Sequence, residues 1–171
     1  SLVELVDTAN GMAAKAHLGS ATCTTLRLVP DTTDYKIQTL NIGDSGYSIH
    51  RRTNNNSDGK KELKMIYSSI PGQKRFNFPH QLGGEYGDVV AKVGVEKEHV
   101  LEADDIIVVY SDGVSDNLFP HQFHACIDDG MDMDMEDTNP MTILRSCWIA
   151  HFCARSAYVL VKDTCLCSAW R

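Results

Sequence analysis

The sequence lacks the features that mark several large classes of protein. None of its apolar runs reaches the roughly 18 residues that a membrane-spanning helix needs. Lys and Arg cluster only in pairs, and 16 of them stand against 23 Asp and Glu, for a formal net charge of -7. A broad nucleic-acid surface needs clustered cations to neutralise phosphates. We therefore expect neither a transmembrane segment nor a nucleic-acid partner.

The start of the chain lacks a targeting signal. Residues 1–7 (SLVELVD) have neither the basic start and small-residue cleavage site of a secretory signal nor the Arg-rich, acid-poor character of a transit peptide. The chain is therefore expected to begin inside a protein. Of the 6 cysteines, all except Cys23 lie in the C-terminal third, and the chain is long enough to fold without disulfides. We expect free thiols in a reducing, intracellular compartment.

The composition also lacks the biases of disordered, collagen-like or coiled-coil chains, since 43% of residues are hydrophobic and 23% charged. Apolar spacing predicts a helix over residues 2–17, followed by three strands in an antiparallel meander. Those strands are expected at 21–29, 35–42 and 47–52, with a further strand at 62–69.

The second half of the chain is predicted to contain both strands and helices. Strands are predicted at 89–96 and at 106–110, where the run IIVVY has no polar face. Helices are predicted at 119–127 and 141–162. Strands in the middle and helices towards the ends favour an α+β domain with an antiparallel sheet.

The most informative motif follows the strand predicted at 106–110. The sequence SDGVSDN (111–117) delivers a carboxylate to a sheet edge, where Gly113 permits a sharp turn. If a helix follows, Asp112 and Asp116 lie four residues apart on one side of it and repel, and a bound cation would reverse that repulsion. The alternative is a helix N-cap at Asp112 or the serine before it, with Asp116 in solvent.

A second acidic turn has the same form. The segment NIGDSG (41–46) again follows an apolar strand and places Asp44 beside glycines. Taken alone it could be an ordinary hairpin, because Gly-Asp turns are common.

Together and in this order, these motifs resemble the metal-dependent Ser/Thr protein phosphatases of type 2C. Four blocks carry the resemblance: GSATC (19–23), LNIGDSGYSIHRR (40–52), RFNFPHQLG (75–83) and VLEADDIIVVYSDGVSDNLF (100–119). The third is similar to a stretch of the branch that contains the mitochondrial and plastid phosphatases. This resemblance implies that the intracellular location is either cytoplasmic or organellar. The resemblance implies a β-sandwich of two antiparallel sheets flanked by helices, incomplete in this chain, with residues 1–171 as a single partial domain.

The resemblance also implies a site and an activity. Asp112 matches a ligand of the family's dinuclear Mg²⁺/Mn²⁺ centre. Asp44 and Asp116, with Asp112, match the ligands of a further, weaker ion, and Gly113 supplies the adjacent backbone. The implied reaction is hydrolysis of phosphoserine or phosphothreonine in a phosphoprotein substrate by attack of a metal-bound water. No catalytic residue beyond the metal ligands is identified, and the chain contains neither a GxSxG motif nor a P-loop.

Two acidic motifs of the family do not occur in the sequence. One is an Asp-Gly-x-Gly-Gly-like motif upstream of the first block, and the other is a C-terminal Asp-Asp-Ile/Asn-like motif. Residues 104–106 (DDI) mimic the second but lie in the wrong block. We therefore expect that a complete dinuclear site cannot be built from this chain alone. The alternative function is a non-catalytic, phosphatase-like module that binds a partner. No pattern in the sequence predicts an oligomeric state.

Overall fold

A computed structural model describes residues 1–16, 19–29, 35–54, 61–84, 87–103, 105–131 and 157–160. In chain order its elements are α1 (Leu2–Ala16), β1 (Ser20–Ala21), β2 (Cys23–Val29), β3 (Tyr35–Ile42), β4 (Gly46–Asn54), β5 (Lys61–Ser68), β6 (Gln73–Arg75), β7 (Phe78–Pro79), β8 (Leu82–Gly83), α2 (Val90–Val93), β9 (Val95–Leu101), β10 (Ile106–Tyr110), α3 (Asp112–Ser115), α4 (Pro120–Met131) and β11 (Ala157–Leu160). The chain forms two compact units. The first comprises residues 1–47 and 68–103, and the second comprises residues 48–67 and the described residues from 105 onward.

The first unit is built on an antiparallel sheet in the order β2-β3-β9. The predicted helix at residues 2–17 is confirmed as α1, which buries Leu2 and Val6 in the core of this unit. The same cluster contains Leu40 and Ile42 of the central strand β3, both fully buried, together with Leu82 and Val90. Alternating apolar residues of a strand and one stripe of a helix thus share one core.

The second unit is built on a sheet in the order β11-β10-β4-β5. Ile106, Ile107 and Val108 of β10 are consecutive and all buried, which confirms that this strand is covered on both faces. Leu63 joins Ile106 and Val108 in a cluster against which Phe123 of α4 packs. The helix predicted at 119–127 is confirmed as the start of α4.

A buried ion pair lies directly before β10. Arg51 Nε and Nη2 donate to Asp105 Oδ1 and Oδ2, both at 2.7 Å, and the Asp105 residue is only 4% exposed. The planar guanidinium matches both carboxylate oxygens at once, so the charges are compensated within the pair. Both carboxylate oxygens of Asp105 are thus engaged by Arg51.

The predicted meander is confirmed for its first two strands, because β2 and β3 pair antiparallel, and is wrong for the third. Strand β3 pairs with β2 and β9, whereas β4 pairs with β10 and β5, so consecutive strands enter different sheets. The reason is burial, because Tyr47, Ser48, Ile49 and His50 of β4 are all buried. A strand buried on both faces takes the interior of a sheet, with neighbours on either side.

The strand predicted at 89–96 is also wrong over its first half. Residues 90–93 form the single helical turn α2, which Gly94 ends by donating its N–H to the Val90 carbonyl at 2.8 Å. Gly94 is required here, because an added Cβ would lie 2.7 Å from Leu40 Cδ1 and 2.8 Å from the Val90 oxygen. Close packing of this turn on β3 overrides the local preference of valine for strands.

The long helix predicted at 141–162 is wrong at residues 157–160. These residues form β11, which pairs antiparallel with β10 and places Ile107 opposite Leu160. The rest of the predicted helix lies outside the described residues. Tyr and Val favour strands. The edge of β10 also supplies backbone N–H and C=O groups as hydrogen-bond partners, and a local sequence pattern cannot show these partners.

Two further expectations concern the cysteines and membrane spans. Cys23 is a free thiol, whereas Cys126 is disulfide-bonded, so the expectation of free thiols is confirmed at the first position and wrong at the second. None of the described helices is long and apolar enough to cross a membrane.

Candidate functional site

The first candidate site is the GDS turn, residues 43–46, which follows β3 in the first unit. Gly43 adopts a φ of 95°, a conformation that side chains with a Cβ rarely adopt. An added Cβ would lie 2.3 Å from Thr22 Cγ2 and 2.7 Å from the His80 carbonyl oxygen. Glycine is therefore required by conformation and by space, and Asp44, 7% exposed, is held next to it.

Hydrogen bonds clamp the GDS turn from two sides. The Thr22 and Ser45 hydroxyls lie 2.7 Å apart. On the other side, the Gly72 N–H donates to the Gly43 carbonyl at 2.8 Å, and the His80 N–H donates to the Gly72 carbonyl at 3.0 Å. The backbone on both sides of residues 73–79 is therefore tied to the turn that carries Asp44.

Asp88 is the charged centre of the neighbouring segment. It lies 2.9 Å from Lys74 Nζ and 3.3 Å from His80 Nδ1, and its Oδ2 accepts the Gln81 N–H at 2.9 Å. Burial raises the pKa of this carboxyl, but the hydrogen bond from Gln81 and the contacts with Lys74 and His80 together lower the pKa below its ordinary value. Asp88 is therefore a fixed negative charge that holds Lys74 in place.

The second candidate site is the SDG turn, residues 111–117, which follows β10 in the second unit. Asp112 opens the short helix α3, its Oδ1 accepts the Gly113 N–H at 2.8 Å, and its carbonyl accepts the Asp116 N–H at 2.8 Å. Val114 and Leu118 anchor the turn in a buried cluster. The Asp112 and Asp116 residues are both exposed.

The cap interpretation of the SDG turn describes part of this geometry. Ser111 occupies the N-cap position with extended backbone but makes no side-chain capping bond. Asp112 satisfies one backbone N–H instead, and Asp116 faces solvent, as that interpretation expects. The two carboxylates nevertheless lie on one helical turn, which is the placement that a cation would favour.

The described residues supply suitable donors for a hard cation but not a complete set. Asp112 and Asp116 are brought together on one turn, whereas Asp44 belongs to the first unit. No group of three or more His, Cys, Asp or Glu side chains that could hold a metal ion occurs among the described residues. Carboxylate oxygen is the ligand that Mg²⁺ and Mn²⁺ prefer. The donor chemistry therefore fits such ions, and the number of donors does not complete their coordination.

Sequence reasoning missed one titratable group in the second unit. His50 is completely buried; its Nε2 lies 2.8 Å from Ser48 Oγ, and its Nδ1 has no hydrogen-bond partner among the described residues. The His124 ring lies 5.7 Å away. Burial, and secondly the nearby His124, lowers the pKa of His50 to about 4. The signal in the sequence is the spacing of Ser48 and His50, which places both on one face of a strand.

Two rice proteins are similar to this chain in sequence. One, named putative protein phosphatase 2C 23 of Oryza sativa subsp. japonica, is 28% identical over 130 residues, which are 76% of this chain and 36% of that protein. The other, probable protein phosphatase 2C 71 of the same organism, is 33% identical over 98 residues, 57% of this chain and 18% of that protein. No family model matches the chain. The chain thus spans about a third or less of these relatives.

Solved structures share the fold. The photosystem II phosphatase PBCP superposes with a TM-score of 0.62 at 21% identity, over 86% of this chain and half of that chain. The catalytic domain of the serine/threonine protein phosphatase PstP, solved with 2 manganese ions, superposes with a TM-score of 0.56 at 16% identity, over 94% of this chain and 72% of that chain. At these identities the likeness establishes the α+β fold with antiparallel sheets, as expected from the sequence.

Proposed function

Because the chain belongs to the protein phosphatase 2C family, we propose that it is part of an enzyme that hydrolyses phosphoserine and phosphothreonine in proteins and depends on Mg²⁺ or Mn²⁺. The observation that carries this proposal is the sequence similarity over 76% of the chain to a protein named as a 2C phosphatase. The chain spans only part of its relatives, so the activity is proposed for the full-length protein. Residues 1–171 are proposed as one partial domain.

The proposed metal ligands are Asp112 and Asp116, with Asp44 as a further ligand. Two or more such ions, when bound, would acidify a water molecule and hold phosphoryl oxygens. The exposure of the SDG turn supports this role, because its carboxylates can meet a cation without a large desolvation cost. The buried anchors Val114 and Leu118 fix the turn so that the carboxylates are positioned before an ion arrives.

A specific observation favours the second candidate, a non-catalytic phosphatase-like module that binds a partner. The described residues contain no metal-binding group of three, and the sequence lacks two acidic motifs of the family. If the full-length protein also lacks them, the phosphatase fold remains without its metal centre.

The branch and the compartment are part of the proposal. The FNFPHQL block (76–82) and the likeness to a photosystem II phosphatase support the branch that contains mitochondrial and plastid phosphatases. We propose an intracellular location, cytoplasmic or organellar.

The test is hydrolysis of an aryl phosphate by the full-length protein with Mn²⁺, with Mg²⁺ and with excess chelator. We expect activity only with a metal, and a decrease of about 100-fold in Asp112→Asn, because a charged group that acts on the transition state is lost. Asp7→Asn, an exposed aspartate of α1, is the matched control and should retain full activity.

Equal activity in excess chelator, or in Asp112→Asn, would sink the proposal. A full-length protein that binds no Mn²⁺ in calorimetry and cleaves nothing would favour the binding module.

A further inference from the structure

Residues 73–79 form an exposed hairpin in the first unit, called here the 73–79 hairpin. Strands β6 and β7 pair antiparallel, with Gln73 opposite Pro79 and Arg75 opposite Phe78. At its tip Asn77 adopts a φ of 51°, a conformation that Asn tolerates better than most residues. The tight loop and the strand pairing specify the backbone, so the side chains are presented in a defined arrangement.

The two cations of the hairpin have different partners. Lys74 Nζ lies 2.9 Å from Asp88 Oδ1, so the charge of Lys74 is compensated within the unit. The Arg75 guanidinium lies 4.9 Å from the centre of the Phe78 ring, and no carboxylate among the described residues forms an ion pair with it. Stacking on an aromatic ring orients a guanidinium and leaves its N–H groups available to an anion. Lys74 therefore anchors the hairpin, and Arg75 is the cation offered to solvent.

Exposed apolar side chains lie close to Arg75 in the sequence. Phe76 is 96% exposed, Ile70 81% and Phe78 46%. Single exposed apolar residues are ordinary. Several within nine residues, next to an arginine that pairs with no described carboxylate, form the kind of patch that marks an interaction site. Aromatic residues and Arg are also the types most enriched at the energetic centres of protein interfaces.

We propose that the 73–79 hairpin is a docking surface for an acidic segment of the phosphoprotein substrate, a proposal that rests on the proposed function. Arg75 pairs with a carboxylate or phosphate of that segment, and Phe76 and Phe78 contact its apolar side chains. Charge complementarity favours such a partner, because Arg75 is exposed and has no ion-pair partner in the part of the chain that the structure describes.

The backbone connects this surface to the GDS turn. Gly72 precedes the hairpin and donates to the Gly43 carbonyl at 2.8 Å, and His80 follows the hairpin and donates to Gly72 at 3.0 Å. A segment held by Arg75 therefore lies beside the turn that carries Asp44. Docking at the hairpin raises the local concentration of the phosphorylated residue next to a proposed metal ligand.

The first experiment measures binding of a short fluorescent peptide, rich in glutamate and carrying one phosphoserine, to the full chain by fluorescence anisotropy. We expect Arg75→Glu to weaken binding about tenfold or more and Phe76→Ala about fivefold. Arg27→Glu is the matched control, because it makes the same charge change at an exposed arginine of β2 in the same unit. Phe76→Ala should not change thermal unfolding, since the side chain is 96% exposed.

Equal weakening by Arg75→Glu and Arg27→Glu would overturn the proposal, because the effect would then be one of net charge. Wild-type binding to anionic phospholipid vesicles that is lost in Arg75→Glu, with no binding to the peptide, would also overturn it in favour of a lipid surface.

The second experiment separates this proposal from the proposed function. In the full-length protein, the KM is measured for the acidic phosphopeptide and for the same peptide with glutamine in place of glutamate. Arg75→Glu should raise the first KM about tenfold more than the second. If the wild type hydrolyses the aryl phosphate normally but Arg75→Glu raises the two KM values equally, the docking surface is wrong and the proposed function is unaffected. If the peptide binds in a way that depends on Arg75 but is not hydrolysed, the proposed phosphatase activity is wrong. The hairpin is then a docking surface on a binding module.

Discussion

The GDS turn and the SDG turn look alike in the sequence and differ in the structure. Each follows an apolar strand and sets an aspartate beside glycine. In the first unit, Gly43 has a positive φ, is packed against Thr22 and His80, and is followed by a buried Asp44. In the second unit, Asp112 and Asp116 are exposed on a helical turn that is anchored by apolar residues beneath it.

The difference separates two ways of positioning a carboxylate. The GDS turn is specified by its backbone, so its glycine is a structural requirement. The SDG turn is specified by its buried anchors, so its carboxylates can change with little effect on folding. We therefore expect substitutions of Gly43 to act on stability and substitutions of Asp112 and Asp116 to act on function.

The largest effect is expected for Gly43→Ala. The new Cβ would lie 2.3 Å from Thr22 Cγ2 in a conformation with a φ of 95°. Backbone strain and overpacking together should lower the free energy of unfolding by about 3–5 kcal/mol, as measured by urea denaturation.

Gly11→Ala is the control for this change. Gly11 lies in α1 with nothing within 4 Å of an added Cβ, so alanine should raise stability by about 0.5–1 kcal/mol. A similar loss of stability in both variants would show that the GDS turn is not specified by its glycine.

The next largest effect is a pH dependence of stability, which we expect from the buried His50 of the second unit. The pKa of His50 is about 4 in the folded chain against an ordinary 6.5, so the unfolded chain binds the proton more readily. The stability that His50 contributes is present above pH 6.5 and is lost as the pH falls towards 4. At about 1.4 kcal/mol per pH unit, the loss is about 3 kcal/mol.

Urea denaturation at pH 7 and pH 4 measures this loss, and the comparison between variants isolates it. His50→Phe cannot take up a proton and should show a pH dependence smaller by about 3 kcal/mol. His121→Phe, at an exposed position stacked on Phe119, should keep the wild-type dependence. If His50→Phe retains the full dependence, other groups cause the acid sensitivity.

The smallest effect is expected for the stability of Asp112→Asn. The side chain is exposed, and asparagine can still accept the Gly113 N–H. The loss of a negative charge at a helix start and the relief of repulsion from Asp116 oppose each other, so stability should change by less than about 0.5 kcal/mol in chelator. A loss of several kcal/mol would mean that Asp112 is a structural cap, and its effect on activity would then follow from unfolding.

Part of the fold was predictable because its signals are local. The spacing of Leu2 and Val6 predicts α1, and the uninterrupted apolar run of residues 106–110 predicts a strand covered on both faces. Both glycine-framed aspartate turns were also predictable, since a turn needs only a few adjacent residues. Whether Asp44, Asp112 and Asp116 hold ions together stays a prediction, because the residues that complete a metal site are distant in sequence.

Other features depend on partners that a local pattern cannot show. The sequence by itself determined the 2C-like motifs, helix α1 and most strands, because periodicity and turn chemistry act over a few residues. Only the tertiary structure decided that β3 and β4 enter different sheets and that residues 157–160 pair with β10. It also decided that residues 90–93 form a helical turn packed near Leu40. Strand pairing and core packing are made between residues far apart in the chain, and their free energy outweighs local propensity where the two conflict.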